Sequence, residues 1–278
     1  NHLFQDMAYF IYKIKPKIFL FENVEGLLRS KWKSNGKKGE IFEDILNTFS
    51  RIPNYSIKYK LVYAKDYGVP QNRPRVFIIG VDNKLATKLS DEEDAVLAGY
   101  FPFPTSDYPN IKDIFSDLID SNFEYGGSTN FYKSEPKTKW QENIRKKYHN
   151  NEILKKGNKL TEQEYSKHSK RVQDRFSYMI NNNGEIANSM KTKKFAQRLL
   201  PEKWGNKGPT ITACSLPDDF VHYKQPRSLT VREWARLQTF PDWYQFSGKR
   251  TTGGVRRAGN PRASIFEREV PKYTQIGN

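Results

Sequence analysis

Three residues in this chain are of a type and spacing that could do acid–base or anion chemistry. Glu22 follows the apolar run Ile18-Phe19-Leu20-Phe21, and Arg73 and Arg75 straddle a proline in Gln71-Asn72-Arg73-Pro74-Arg75. A carboxylate at the tip of a buried strand is partly desolvated, which raises its pKa and lets it lend or share a proton near neutrality. Side chains two apart on a strand point to the same side, and the fixed φ of Pro74 stiffens the arginine pair. Two stiff guanidinium forks suit a planar oxygen-bearing ligand or a phosphate. Taken singly, each feature also fits a plainer role: a carboxylate that caps the next turn, and a surface arginine pair where a strand begins.

The elements that must hold these residues can be read from periodicity. Leu3, Phe4, Met7, Phe10, Ile11 and Ile14 recur at helical spacing, so residues 3–14 are expected to be a helix that Pro16 ends. Residues 17–21 form a short apolar strand, and 25–28 turn outward. Ile41, Phe42, Ile45, Leu46 and Phe49 mark one face of a second helix. Ile57, Tyr59, Leu61 and Tyr63 alternate as in a half-buried strand, and 76–81 is another apolar strand. This order is that of the back half of an α/β sheet, in which ligands bind outside the carboxyl ends of parallel strands. Later, Thr230 with Glu233 three residues on predicts a capping box ahead of a helix that Pro241-Asp242 stops.

Composition narrows the partner. The 278 residues carry 47 Lys and Arg against 31 Asp and Glu, a net charge of +16, which makes a polyanion the default partner. An aromatic share of 14% favours nucleic acid, because rings stack on bases. One cysteine, Cys214, excludes an internal disulfide, and no apolar stretch is long enough to span a membrane. Four scattered histidines and no HExxH or CxxC spacing argue against zinc and against a zinc-dependent deaminase, and no GxxxxGK[ST] loop supports an ATP-driven enzyme.

Four features in order resemble the DNA cytosine-5 methyltransferases. They are Phe21-Glu22-Asn23-Val24, Gln71 to Arg75, Arg227 to Asp242, and the terminal Gln275-Ile276-Gly277-Asn278. Thr210-Ile211-Thr212 with its neighbours resembles the segment that closes the family's recognition region. The resemblance implies an α/β fold: the back half of a Rossmann-like methyltransferase sheet plus a smaller mixed, loop-rich target-recognition domain. It divides the chain into 1–106 (catalytic), 107–208 (recognition, basic and weakly periodic) and 209–278 (return to the catalytic domain).

The resemblance also implies roles. Glu22 would relay a proton to ring N3 of a flipped cytosine, supported by Asn23 and Gln71. Arg75, with Arg73 beside it, would stabilise the ring oxygen and contact phosphate. Asn278 would touch the cofactor, S-adenosylmethionine. Arg73, Thr210 and Arg227 would contact double-stranded DNA. Gln173, Arg175, Asn181, Asn182 and Asn183 are candidate sequence readers, without ranking.

The implied setting is a bacterial restriction–modification system in the cytoplasm. The family's Pro-Cys nucleophile and Gly-rich cofactor loop are absent from these residues, and Cys214 has no basic neighbour or helix start to activate it. The chain alone is therefore expected to be inactive. A second chain supplying the cysteine and cofactor loop, or a catalytically silent DNA-binding protein, are the alternatives.

Overall fold

The computed structural model describes residues 2–86, 89–105, 109–192, 197–202, 210–212, 219–251, 264 and 269–277. They form two compact units: residues 1–67 with 73–106, and residues 68–72 with 107–278.

The first unit begins with α1 (Leu3–Ile14), which buries Phe4, Ala8 and Ile11. The chain leaves it through Lys15 in the left-handed region, φ 52°, one residue before Pro16. Strand β1 (Ile18–Val24) follows, so Glu22 and Asn23 belong to the strand rather than lying beyond its tip. A 3-10 turn (Glu25–Arg29) and a basic loop lead to α2 (Glu40–Ser50), which buries Phe42, Ile45 and Phe49. Strands β2 (Tyr55–Tyr63) and β3 (Pro74–Asp82) and the short α3 (Asn83–Ala86) complete it.

The sheet order is β1-β3-β2, and β3 runs antiparallel to both neighbours. β1 and β2 therefore run in the same direction, separated by a reversed strand. This reversal decides where the arginines fall: the start of β3 lies beside the end of β1, with Arg75 opposite Val24. One face of the sheet places Phe19, Val76 and Ile78 against α1 and α2. On the other face, Phe77 and Ile79 pack under Ala95, Val96 and Phe101.

In the second unit, α4 (Ile111–Phe115), α5 (Lys139–Arg145) and α6 (Lys170–Asn181) are joined by long connections pinned by isolated bridges. Two-residue strands β4 (Arg198–Leu199) and β5 (Phe220–Val221) pair in parallel. They are followed by α7 (Val231–Leu237) and α8 (Lys272–Gly277). The expected capping box is present: Glu233 N donates to Thr230 Oγ1 at 3.1 Å, and Thr230 N donates to Glu233 Oε2 at 2.9 Å. α7 ends at Leu237, before Pro241.

All seven residues of α7 are buried, charged ones included. Arg236 is held between Asp117 and Asp242, each at 2.6 Å, and Asp117 also pairs with Arg145 at 2.6 Å. Tyr132 donates to Asp242 at 2.6 Å. These ties bind α7 and Asp242 to residues 111–145 within one compact unit. Buried charges demand partners, and here the partners come from distant sequence.

Candidate active site

The site is built by strand alternation and register. Glu22 is opposite Phe77 in the β1–β3 ladder. Opposed residues share a face, and Arg75, two residues from Phe77, shares it too. The pair is thus a diagonal one, within reach of long side chains. Glu22 Oε1 lies 2.7 Å from Arg75 Nε. Arg75 also donates from Nη1 to the carbonyl of Pro74 at 2.7 Å, which fixes its fork. Arg73 is near enough to sense both groups. Burial holds its pKa below the usual value, the Arg75 charge lowers it further, and Glu22 opposes both.

Glu22 is not the desolvated carboxylate expected from sequence. Its side chain is 47% exposed, against 18% for Arg75. Glu22 shares its side of β1 with Ile18, Leu20 and Val24, each more than half exposed, and β1 is one of the two edge strands of the described sheet.

Each of the other candidate residues among those described has contacts within its own unit. Asn23 lies on the opposite face of β1 by alternation, and its Oδ1 accepts from Val24 N at 2.9 Å. Gln71 is buried in the second unit: Nε2 donates to Gln238 Oε1 at 2.7 Å, and Oε1 accepts from Ile211 N at 3.1 Å. Gln238 in turn donates to the carbonyl of Ile276 at 2.8 Å. Gln71 therefore clamps the 68–72 loop to α7 and α8. Thr210 is exposed, with its hydroxyl donating to the Asn72 carbonyl.

Arg227, expected to contact DNA, is a core residue with no exposed surface. It makes a bidentate pair with Glu233 at 2.6 and 2.8 Å and donates to Gln225 Oε1 at 2.8 Å. A guanidinium saturated this way has no donor left for a phosphate. Asn278 and Cys214 lie outside the described residues. Of the candidate readers, Gln173 and Asn182 bond backbone carbonyls and Arg175 bonds Gln197, while Asn181 and Asn183 are exposed.

Sequence reasoning missed His222. It is fully buried beside the Arg227–Glu233 pair, 3.7 Å from Glu233 Oε1. Its Nδ1 accepts from the backbone N–H groups of Lys224 and Gln225, so the neutral ring carries its proton on Nε2, which has no hydrogen-bond partner among the described residues. Burial, aided by Arg227, pushes its pKa down to about 3. For Glu233, burial acts upward, but Arg227 overrides it and brings the group down to about 2. A lone histidine between Val221 and Tyr223 carries no sequence signal of its buried charged neighbours. Three or more His, Cys, Asp or Glu side chains placed to hold a metal do not occur among the described residues, and no helix there is long and apolar enough to cross a membrane.

Comparison with known proteins places the chain in a family. Type II methyltransferase M.DdeI of Desulfomicrobium norvegicum is 32% identical over 287 residues, covering 100% of this chain and 63% of its own length. M.BsuRI of Bacillus subtilis is 27% identical over 282 residues, covering 100% of this chain and 50% of its own. The chain thus spans under two thirds of these relatives. A solved DNA modification methyltransferase encoded within an Escherichia coli prophage shares the fold, with a TM-score of 0.58 at 23% identity, covering 99% of this chain and 72% of that one. The family model for C-5 cytosine-specific DNA methylases matches residues 1–261, and the chain belongs to that family.

Proposed function

We infer that the protein carrying this chain methylates carbon 5 of a cytosine flipped out of a specific duplex DNA sequence, in a restriction–modification system. The Glu22–Arg75 contact carries the reading: an acid and a fixed guanidinium share one rim of the sheet, where a planar ring with adjacent nitrogen and oxygen atoms can meet both. In the family's chemistry a thiolate adds to carbon 6, and the ring's electrons shift toward N3 and the C2 oxygen. Glu22 hydrogen-bonds or protonates N3, Arg75 holds the oxygen, and Arg73 meets the adjacent phosphate. Extrusion of the base from the duplex is what gives these groups access to it. When the enamine-like carbon 5 has taken the methyl group, loss of its proton expels the thiolate and restores the ring.

S-adenosylmethionine is the methyl donor that family membership implies. Glu22, Arg73 and Arg75 are assigned to the base and the DNA. Residues 107–208 are assigned to target recognition. The basic surplus supplies the non-specific electrostatic attraction to DNA.

The test is to incubate the whole protein in which these residues stand with duplex DNA and S-adenosylmethionine, then map 5-methylcytosine. Methylation at one recurring sequence supports the reading. Methylation only when a second polypeptide bearing a Pro-Cys motif is added assigns the chain to a split enzyme. Duplex binding without methylation under either condition makes it a silent DNA binder.

A further inference from the structure

The loop between the end of β1 and the start of α2 is held in a defined shape and is rich in cations. Trp32 fixes it from within: its backbone N–H donates to Glu40, and its indole donates to Asp44 Oδ2 at 2.6 Å. The His2 ring stacks on the indole at 5.0 Å. Lys37 N donates to Glu40 Oε2 at 3.1 Å, and Gly39 N closes the loop on the Ser30 carbonyl at 3.2 Å. Gly39 adopts φ 90° there, and a Cβ would lie 3.1 Å from the Leu28 carbonyl.

The three acids of α2 are consumed by this work. Glu40 and Asp44 face the loop backbone and Trp32, and Glu43 pairs with Lys37 at 3.0 Å. That leaves Arg29, Lys31, Lys33 and Lys38 exposed, with no carboxylate ion pair among the described residues. The loop leaves the sheet through the 3-10 turn that directly follows Val24, so it emerges at the end of β1 that carries Glu22 and faces Arg75.

We propose that this Trp32-pinned loop is a phosphate-contacting surface for the DNA duplex. This rests on the DNA-methylating function inferred above and adds a second backbone contact beside the base-handling groups. A fixed loop positions cations without the entropic cost of ordering the backbone on binding. Phosphate contacts of this kind set register and orientation and carry no sequence information.

A charge-matched control exists at the opposite end of the strand. Lys13 at the end of α1, and Lys15 and Lys17 ahead of β1, are also exposed, and Lys17 lies about 20 Å further back, at about 3.3 Å per strand residue. The experiment measures binding of the full chain to a duplex of arbitrary sequence across a salt series. It compares the wild type with a K31A/K33A/K38A variant and a K13A/K15A/K17A variant.

The loop variant is expected to bind more weakly and to lose about 2–3 from the slope of log affinity against log salt, at about 0.9 for each phosphate no longer neutralised. The control should keep the wild-type slope. The corresponding Lys→Gln loop variant should repeat the loss while retaining the wild-type thermal midpoint. A loop variant with the wild-type slope, or a control that loses as much, overturns the loop's role while leaving the DNA reading intact. A wild-type chain that binds no duplex overturns both.

Discussion

Glu22 and Arg75 meet because a strand reverses. β3 runs antiparallel to β1, which brings the start of one beside the end of the other, and the diagonal pair closes to 2.7 Å. A parallel β3 would put Arg75 at the far end of the sheet. The two motifs most telling in the sequence are therefore joined by topology, and the ion pair fixes the guanidinium where a base oxygen could replace or share the carboxylate.

If Arg75 is a fixed donor to the ring oxygen, its geometry matters as well as its charge. Arg75→Lys keeps the charge but loses the planar fork. Single-turnover methylation by the whole protein should fall by about 10²–10³-fold, the range seen for loss of one transition-state hydrogen-bond donor. Duplex affinity should change far less. A lysine variant with near-normal turnover would reduce Arg75 to a source of positive charge.

Arg227 and Glu233 should behave as a structural pair. Breaking one partner of a buried ion pair strands the other, at about 3–5 kcal/mol, whereas replacing both with apolar residues can be neutral. Arg227→Met and Glu233→Gln should each lower the thermal midpoint sharply, and Arg227→Met with Glu233→Leu should recover much of the loss. At a temperature where Arg227→Met remains folded, the salt slope of DNA binding should match wild type, since this side chain has no exposed surface.

The same cluster sets an acid limit on stability. His222 titrates at about 3 in the fold, against an ordinary 6.5. As pH falls below 6.5 the unfolded chain takes up a proton that the folded chain refuses, so stability falls, by about 1.4 kcal/mol per pH unit for one full proton. Glu233, at about 2 against an ordinary 4.5, adds a second loss below pH 4.5. Denaturant melts at stepped pH should show this decline, and His222→Asn, whose carbonyl can still accept the two backbone N–H groups, should flatten the limb between pH 6.5 and 4.5. An unchanged limb would place its origin elsewhere.

Gln71 is predicted to matter through the fold. Gln71→Ala leaves Ile211 N and Gln238 Oε1 without their partner, a cost of about 1–3 kcal/mol for buried groups. A lowered thermal midpoint should accompany any fall in activity. Lost activity at wild-type stability would instead give Gln71 a direct part in the chemistry.

Elements were legible in the sequence where their signals are local. Helical spacing marked 3–14, alternation marked β2, and the capping box of Thr230 and Glu233 formed as spaced. What was not legible depends on distant residues. Glu22 is 47% exposed in an edge strand, and no local pattern reports a strand's place in its sheet. Arg227 read as a cation available to DNA because its sequence shows a charge but not that Glu233, already engaged as a cap, also neutralises it. Asp117 carried no signal at all, since both its partners, Arg145 and Arg236, lie far along the chain.

The central claim is that Glu22 handles the base rather than the duplex. Glu22→Gln keeps the side chain's size and removes its capacity to lend a proton. In the whole protein, measured side by side for methyl transfer and duplex affinity, it should lose about 10²–10⁴-fold in transfer rate, the span of general acid–base catalysis, while binding duplex nearly as wild type. Equal loss of both, or transfer at the wild-type rate, would contradict the role.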